Sequence, residues 1–122
     1  MTARPSPGPG RLGLTFYIVI AEPTARAHER AAATEAHLDW LKRLETEGKL
    51  FLAGPFTGVD GVSTGGGLFI LRAASLAEAE ALAAADPYNA GGYRTVTVRP
   101  WRLDQGAFSL AVSLTGSAAR FE

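Results

Sequence analysis

Residues 14–21 constrain the fold more than any other part of the chain. They read Leu-Thr-Phe-Tyr-Ile-Val-Ile-Ala, a run rich in β-branched and aromatic residues and apolar on both faces. Such a run is typical of a strand inside a sheet, with cover on both sides. The chain has 122 residues, a common size for one domain, so we expect the remainder to supply that cover within one core.

Two helices are predicted, each packed on the sheet by one face. The first follows Pro23, reaches about Glu47 and is closed by Gly48 as its C-cap. A helical wheel places the following residues on one side: Arg30, Ala33, Thr34, His37, Trp40, Leu41 and Leu44. The second opens with a capping-box pattern, Ser75 and Glu78, and ends before Pro87 because proline disfavours helical angles in the preceding residue. Its predicted inward residues are Leu76, Ala79, Leu82 and Ala83.

Three more strands are predicted, at residues 50–56, 67–72 and 93–103, with a glycine-rich loop at 57–66. The resulting order, β-α-β-β-α-β, predicts an α+β fold built on the ferredoxin-like unit with an antiparallel sheet. Two helices can cover only one face of such a sheet. We therefore expect a second copy of the sheet on the other face, which makes the protein a homodimer.

The two ends of the chain differ in composition from the middle. Residues 1–13 are rich in proline and glycine and predict a disordered arm. Residues 14–104 are predicted to form the folded domain, and residues 105–122 a C-terminal extension. Alternation over residues 108–114 indicates a possible extra strand in that extension.

Composition excludes several classes of function. Lysine plus arginine and aspartate plus glutamate number 12 each, so there is no basic excess of the kind that binds nucleic acid. No apolar run is long enough to cross a bilayer. The absence of cysteine excludes disulfides and thiolate catalysis, and two histidines cannot form a multi-histidine metal site. Without a recognisable signal peptide, we expect a cytoplasmic protein that acts on a small molecule without metal or cofactor.

His37 and Asp86 are the candidate catalytic residues. His37 lies on the inward side of the first helix, where it is either a packed core histidine or a proton shuttle. Asp86 is expected in the last turn of the second helix, where the helix dipole disfavours a carboxylate by up to ~1 kcal/mol. That unfavourable position suggests a function, although an Asp-Pro turn initiator is the alternative. If the two side chains meet, they form an acid–base dyad.

Four further residues are candidates for substrate binding: Arg30, Tyr88, Trp101 and Ser63. Arg30 could hold an anionic group, or simply extend its charge into solvent from the helix edge. Ser63 could donate a hydrogen bond to a ligand, or serve as a turn residue. The glycines at 65–67 precede a strand rather than a helix, so they do not indicate a nucleotide-binding loop.

Several short motifs resemble those of the YCII-related (YciI-like) family over about residues 14–103. They are His37-Leu38, Leu41-Lys42, Gly48-Lys49-Leu50, Ala53-Gly54-Pro55, Asp86-Pro87-Tyr88, Ala90-Gly91 and Pro100-Trp101. The resemblance implies a dimeric α/β barrel in which His37 and Asp86 share a pocket as an acid–base site. One branch of the family removes chloride from a chlorinated hydroxyquinol. The chain departs from the family pattern at Gly66, where a hydroxyl residue is common, and at Thr34, where a basic residue is common.

These observations together predict a small cofactor-independent isomerase or lyase that acts on an enol, lactone or aromatic substrate. His37 would be the general base or acid, and Asp86 would orient it. The alternative is a noncatalytic ligand-binding or assembly module in which the same pair is a structural hydrogen bond. A cofactor-free oxygenase is a third possibility.

Overall fold

The computed structural model describes residues 12–107, 109–113 and 118–121. Residues 15–102 form one compact unit, and the described residues 12–14 and 103 onward belong to a second. Most of the predicted N-terminal arm, residues 1–11, lies outside the described residues. The elements, in chain order, are β1 (Leu14–Pro23), a 3₁₀ helix (Ala27–Ala33), α1 (Thr34–Thr46), β2 (Leu50–Thr57), β3 (Ser63–Leu71), α2 (Leu76–Ala84), α3 (Pro87–Ala90), β4 (Arg94–Leu103), β5 (Leu110–Ser113) and β6 (Ala118–Phe121).

Four strands form an antiparallel sheet in the order β2-β3-β1-β4. The α+β fold class and the ferredoxin-like order are therefore confirmed, with β1 in the interior of the sheet. Paired residues lie on the same face, so each cross-strand row faces one side. The row Ala53–Phe69–Val19 faces the helices, and the neighbouring row Leu52–Ile70–Ile18 faces the opposite side.

The core lies between the sheet and α1 and α2. It consists of Val19, Ala21, Trp40, Leu44, Phe69, Leu71 and Ala83. Leu71 and Val19 are almost fully buried, which contributes roughly 1.5–3 kcal/mol for each side chain. The predicted inward side of α1 is correct, because Trp40 and Leu44 are buried while Glu35 and Asp39 are exposed.

The β2–β3 hairpin differs from the prediction. Its turn is shorter than the expected loop at 57–66, because β3 already begins at Ser63. The three glycines at 65–67 belong to this strand and allow close strand packing. A Cβ atom on Gly66 would lie 2.4 Å from the carbonyl oxygen of Ala21, and one on Gly67 would lie 2.9 Å from that of Gly54. Glycine at these positions therefore reflects tertiary packing rather than a loop.

The second helical region also differs from the prediction. Ser75 caps α2 by accepting a hydrogen bond from the Glu78 amide at 3.1 Å, but Leu76, expected inward, is 38% exposed. The helix ends at Ala84, and Pro87 opens the separate short helix α3. Proline suits this first helical position because its fixed φ angle is already helical and its missing N–H needs no partner.

The segment before α1 is a 3₁₀ helix rather than part of one long α-helix. Beyond residue 102, the described residues include the antiparallel pair β5–β6, with Leu110 opposite Phe121. Residues 108 and 114, the ends of the alternating segment, lie outside the described residues. Within the described part of the chain, no helix has both the length and the apolar character needed to cross a membrane.

Candidate active site

His37 and Asp86 form a buried hydrogen-bonded pair. Nδ1 of His37 lies 2.7 Å from Oδ1 of Asp86, and the two residues are 7% and 1% exposed. The same carboxylate oxygen accepts a hydrogen bond from the Tyr88 amide at 3.0 Å. The sequence alone left undecided whether helix α1 contacts the Asp-Pro turn. The structure shows this contact.

Asp86 does not lie in the last turn of α2, so that prediction is wrong. It is the N-cap of α3, with extended backbone angles of φ −60° and ψ 122°. A carboxylate at this position satisfies the first free amides of a helix, which is favourable rather than costly. The same side chain thus begins the α3 turn and contacts His37.

Aromatic rings surround the imidazole of His37. The Tyr88 ring stacks on it with centroids 4.0 Å apart and planes 16° apart, while Trp40 and Phe69 lie at 5.9 and 6.2 Å. The hydroxyl of Tyr88 is 2.7 Å from Oγ1 of Thr34. Packing and hydrogen bonds from α1, α3 and β3 therefore hold the imidazole in one orientation.

A cavity of about 250 Å³ opens beside the dyad. Its lining consists of His37, Leu41, Ala53, Gly54, Pro55, Gly67, Phe69 and Arg94. The walls are apolar or small, and the polar side chains of the lining are those of His37 and Arg94. An apolar pocket with a few placed polar groups is the usual form of a small-molecule site.

Arg94 is a site residue that the sequence prediction missed. It is 7% exposed, and its Nε donates a hydrogen bond to the carbonyl of Gly65 at 2.7 Å. Its guanidinium carbon lies 4.7 Å from the centre of the Tyr88 ring. Burial lowers the pKa of Arg94 below its ordinary value, an effect that the negative charge of Asp86 opposes. The sequence held a signal for it, since strand alternation puts Arg94 on the same face as Val96 and Val98.

Three predicted binding residues are not among those that line this cavity. Nη1 of Arg30 donates to the carbonyl of Ala27 at 2.9 Å, within the 3₁₀ helix. Trp101 is 42% exposed and packs near Phe16 with ring centroids 6.3 Å apart. Strand alternation places Trp101 on the face of β4 opposite Arg94.

Ser63 is also not a lining residue. It lies at the exposed start of β3. Its Oγ accepts a hydrogen bond from the Gly65 amide at 3.2 Å, as a turn residue would. Tyr88, the fourth predicted binding residue, contacts the dyad directly through its ring. In the described part of the chain, no three His, Cys, Asp or Glu side chains are grouped so that they could hold a metal.

Comparisons with known proteins agree with this fold. The YCII-related domain matches residues 15–102. Protein YciI of Escherichia coli O6:H1 is 39% identical over 94 residues, covering 71% of this chain and 96% of the relative. The protein YjpA of Bacillus subtilis strain 168 is 31% identical over 87 residues, covering 71% and 94%.

A solved structure is also similar. It is 5-chloro-2-hydroxyhydroquinone dehydrochlorinase (TftG) from Burkholderia phenoliruptrix AC1100, in complex with 2,5-dihydroxybenzoquinone. The TM-score is 0.58 at 26% sequence identity, covering 72% of this chain and 93% of that one. With the family match spanning most of its length, the chain belongs to the YCII-related domain family.

Proposed function

We propose that the protein is a small enzyme that transfers a proton without a cofactor, as an isomerase or a lyase. The observation that carries this proposal is the His37–Asp86 pair, hydrogen-bonded at 2.7 Å with the histidine lining a cavity. His37 would act as the general base or acid, and Asp86 would orient it and stabilise the imidazolium that forms.

The hydrogen bond at Nδ1 determines which nitrogen can react. An ionised carboxylate only accepts hydrogen bonds, so Nδ1 of His37 donates to Asp86. In the neutral ring, Nε2 then carries the lone pair. Nε2 has no hydrogen-bond partner among the described residues, and the ring lines the cavity, so a bound molecule can occupy that position.

The proposed reaction begins when Nε2 takes a proton from a C–H or O–H group of the substrate. In an isomerisation, the imidazolium returns that proton to another atom of the same molecule. In an elimination, the electron pair left behind forms a new π bond, and the leaving group departs with its own bonding pair. Both routes balance without an oxidant or reductant.

The substrate class follows from the cavity and from the similar solved structure. A volume of about 250 Å³ is near the lower end for ligand pockets and suits a molecule with one ring. The dehydrochlorinase TftG, in complex with 2,5-dihydroxybenzoquinone, has the same fold and supports a lyase acting on a ring enol or quinol. We therefore propose a small enol, lactone or aromatic compound as the substrate.

The protein is further proposed to act as a homodimer. The sheet face opposite the helices carries Ile18, Ile70 and Leu52, and Leu52 is 47% exposed in the single chain. Apolar side chains on an open sheet face need cover from another layer. A second copy of the same face would supply it in a symmetric arrangement.

Two substitutions test the catalytic assignment. His37→Asn keeps a nitrogen donor near the position of Nδ1 but removes Nε2, and Asp86→Asn keeps an acceptor oxygen but removes the charge. With a panel of enols, lactones and halogenated phenols, including 5-chloro-2-hydroxyhydroquinone, we expect wild-type turnover to fall roughly 10²–10⁴-fold in each variant. Turnover is measured as deuterium uptake from D₂O by NMR and as chloride release.

An assembly or ligand-binding module is the second candidate, because the pair also joins α1 to α3. Asp86 contacts both His37 and the Tyr88 amide, so a purely structural role would lower stability when the pair is disturbed. The catalytic proposal fails if the folded His37→Asn variant keeps wild-type turnover. Oxygen consumption in the same assays would instead support the oxygenase interpretation.

A further inference from the structure

We propose that Arg94 makes the cavity a binding site for a small organic monoanion, whose charged oxygen atoms are bound by the two terminal nitrogens of the guanidinium, in the cavity that His37 also lines. The relevant ligand chemistry is a carboxylate, enolate or phenolate on a small apolar body. The inference deepens the proposed function and rests on it only for the role of His37, because anion binding can be measured without turnover.

The first observation is that the terminal nitrogens of Arg94 have no hydrogen-bond partner among the residues that the structure describes. Of its polar atoms, Nε is bonded to the Gly65 carbonyl, and no hydrogen bond joins Nη1 or Nη2 to any described residue. Every fully buried side-chain nitrogen or oxygen in the described part of the chain has a partner. The terminal nitrogens therefore keep accessible surface, and the cavity that Arg94 lines provides it.

The second observation is the charge around the guanidinium. Among the described residues, Arg94 forms no ion pair, and no acidic side chain lines the cavity. Asp86 influences Arg94 electrostatically, but its Oδ1 is engaged by His37 and by the Tyr88 amide. A cation that is more than nine-tenths buried without a contacting anion is incompletely compensated, so a bound anion would stabilise it.

The third observation is the shape and polarity of the surrounding walls. Leu41, Pro55 and Phe69 offer apolar surface, while the lining residues Gly54 and Gly67 add no side chain to the cavity. Such walls suit a ring or short chain with a single charged end. They offer nothing to neutralise a second charge.

Tyr88 relates the anion site to the dyad. Its ring stacks on His37 at 4.0 Å and lies 4.7 Å from the Arg94 guanidinium carbon, so one rigid side chain positions both groups. A ligand held by Arg94 in the cavity would share it with His37, which also lines it.

The experiment compares two probes of equal shape, benzoate and neutral benzamide, by isothermal titration calorimetry on the full chain. We expect benzoate to bind the wild type at least ~10-fold more tightly than benzamide, because the guanidinium forms charge-assisted hydrogen bonds with a carboxylate but not with a neutral amide. Arg94→Met should remove that preference. Arg94→Lys, which keeps a charge but loses the planar fork, should retain only part of it.

Arg72→Met is the matched control. Arg72 also lies over an aromatic ring, 4.8 Å from the centre of Phe51, and also donates to a backbone carbonyl, that of Leu50, yet it does not line the cavity. The benzoate preference should be unchanged in this variant. Equal binding of the two probes by the wild type, or an undiminished preference in a folded Arg94 variant, would overturn the inference. Loss of turnover in the His37 variant with intact benzoate binding would separate this inference from the catalytic proposal.

Discussion

Asp86 combines a structural contact with a proposed catalytic role in one side chain. Its Oδ1 accepts from Nδ1 of His37 at 2.7 Å and from the Tyr88 amide at 3.0 Å. The sequence predicts a functional Asp86 because its carboxylate would be unfavourable in the last turn of the second helix. Its true position, as the N-cap of α3, stabilises the local backbone while the same oxygen orients the histidine.

Tyr88 permits a stability test at the residue scale. Tyr88→Phe keeps the ring that stacks on His37 but removes the hydroxyl that contacts Oγ1 of Thr34 at 2.7 Å. We expect the free energy of unfolding to fall by ~0.5–1.5 kcal/mol, the net value of one hydrogen bond. Urea denaturation measures this change.

Thr34→Val is the matched partner for that test, because it removes the other half of the same hydrogen bond with little change in shape. It also removes a longer contact of 3.4 Å to the carbonyl of Arg30. The double variant should lose less stability than the sum of the two single losses. Strict additivity would show that the Thr34–Tyr88 contact contributes nothing.

At the scale of secondary-structure elements, the close packing of β3 between its neighbouring strands depends on its glycines. The strand runs between β2 and β1, and the backbone of both neighbours comes close to it at Gly66 and Gly67. A sequence pattern rich in glycine is typical of a loop, which is why the start of β3 was placed too late. The predicted inward side of α1, by contrast, is correct. The spacing of apolar residues along a helix reflects only which side of that helix packs against the sheet.

Gly66→Ala tests this interpretation of the strand. The added Cβ would lie 2.4 Å from the backbone oxygen of Ala21, so β1 and β3 must shift apart. We expect a loss of ~1–3 kcal/mol in the free energy of unfolding, as for other over-packed sites. Thermal and urea denaturation both report it.

Gly54→Ala serves as the control on the adjacent edge strand. A Cβ at Gly54 would have no atom within 4 Å, so its effect on stability should stay within ~0.5 kcal/mol. Similar losses at both glycines would mean that close packing between β1 and β3 is not what requires Gly66.

At the scale of the whole molecule, the open face of the sheet is the surface through which we propose that the protein dimerises. The helices cover the face that includes Val19 and Phe69, and the opposite face carries Ile18, Ile70 and Leu52. We expect Leu52→Asp to convert the proposed dimer into a monomer, because a charge at the centre of an apolar interface is left without a partner. Sedimentation velocity measures the change in mass.

Leu38→Asp is a closely matched control for the dimer prediction. Leu38 lies on α1 and is 48% exposed, against 47% for Leu52, so both substitutions place a charge at an equally accessible leucine. Leu38→Asp should leave the mass unchanged. A wild type that sediments as a monomer, or a Leu52→Asp variant that remains a dimer, would contradict the proposed use of this face.

The local and periodic features of the protein could be predicted from its amino-acid sequence. These are the interior strand β1, the buried side of α1, the cap at Ser75, and the identity of His37 and Asp86 as candidates. Each depends on residues close together in the chain, where side-chain spacing and backbone preference decide the outcome. The resemblance to the YCII-related family added the expectation that the last two residues meet.

Which distant residues share the cavity depends on how the helices and strands cross in three dimensions. His37 and Asp86 are 49 positions apart, and Arg94 reaches the carbonyl of Gly65 across 29 positions. The spacing of apolar residues predicts which face of a helix or strand is buried. It does not predict where along that face another helix or strand will pack. For that reason Arg94 was missed, while Arg30, Ser63 and Trp101 were assigned to a pocket that other residues line.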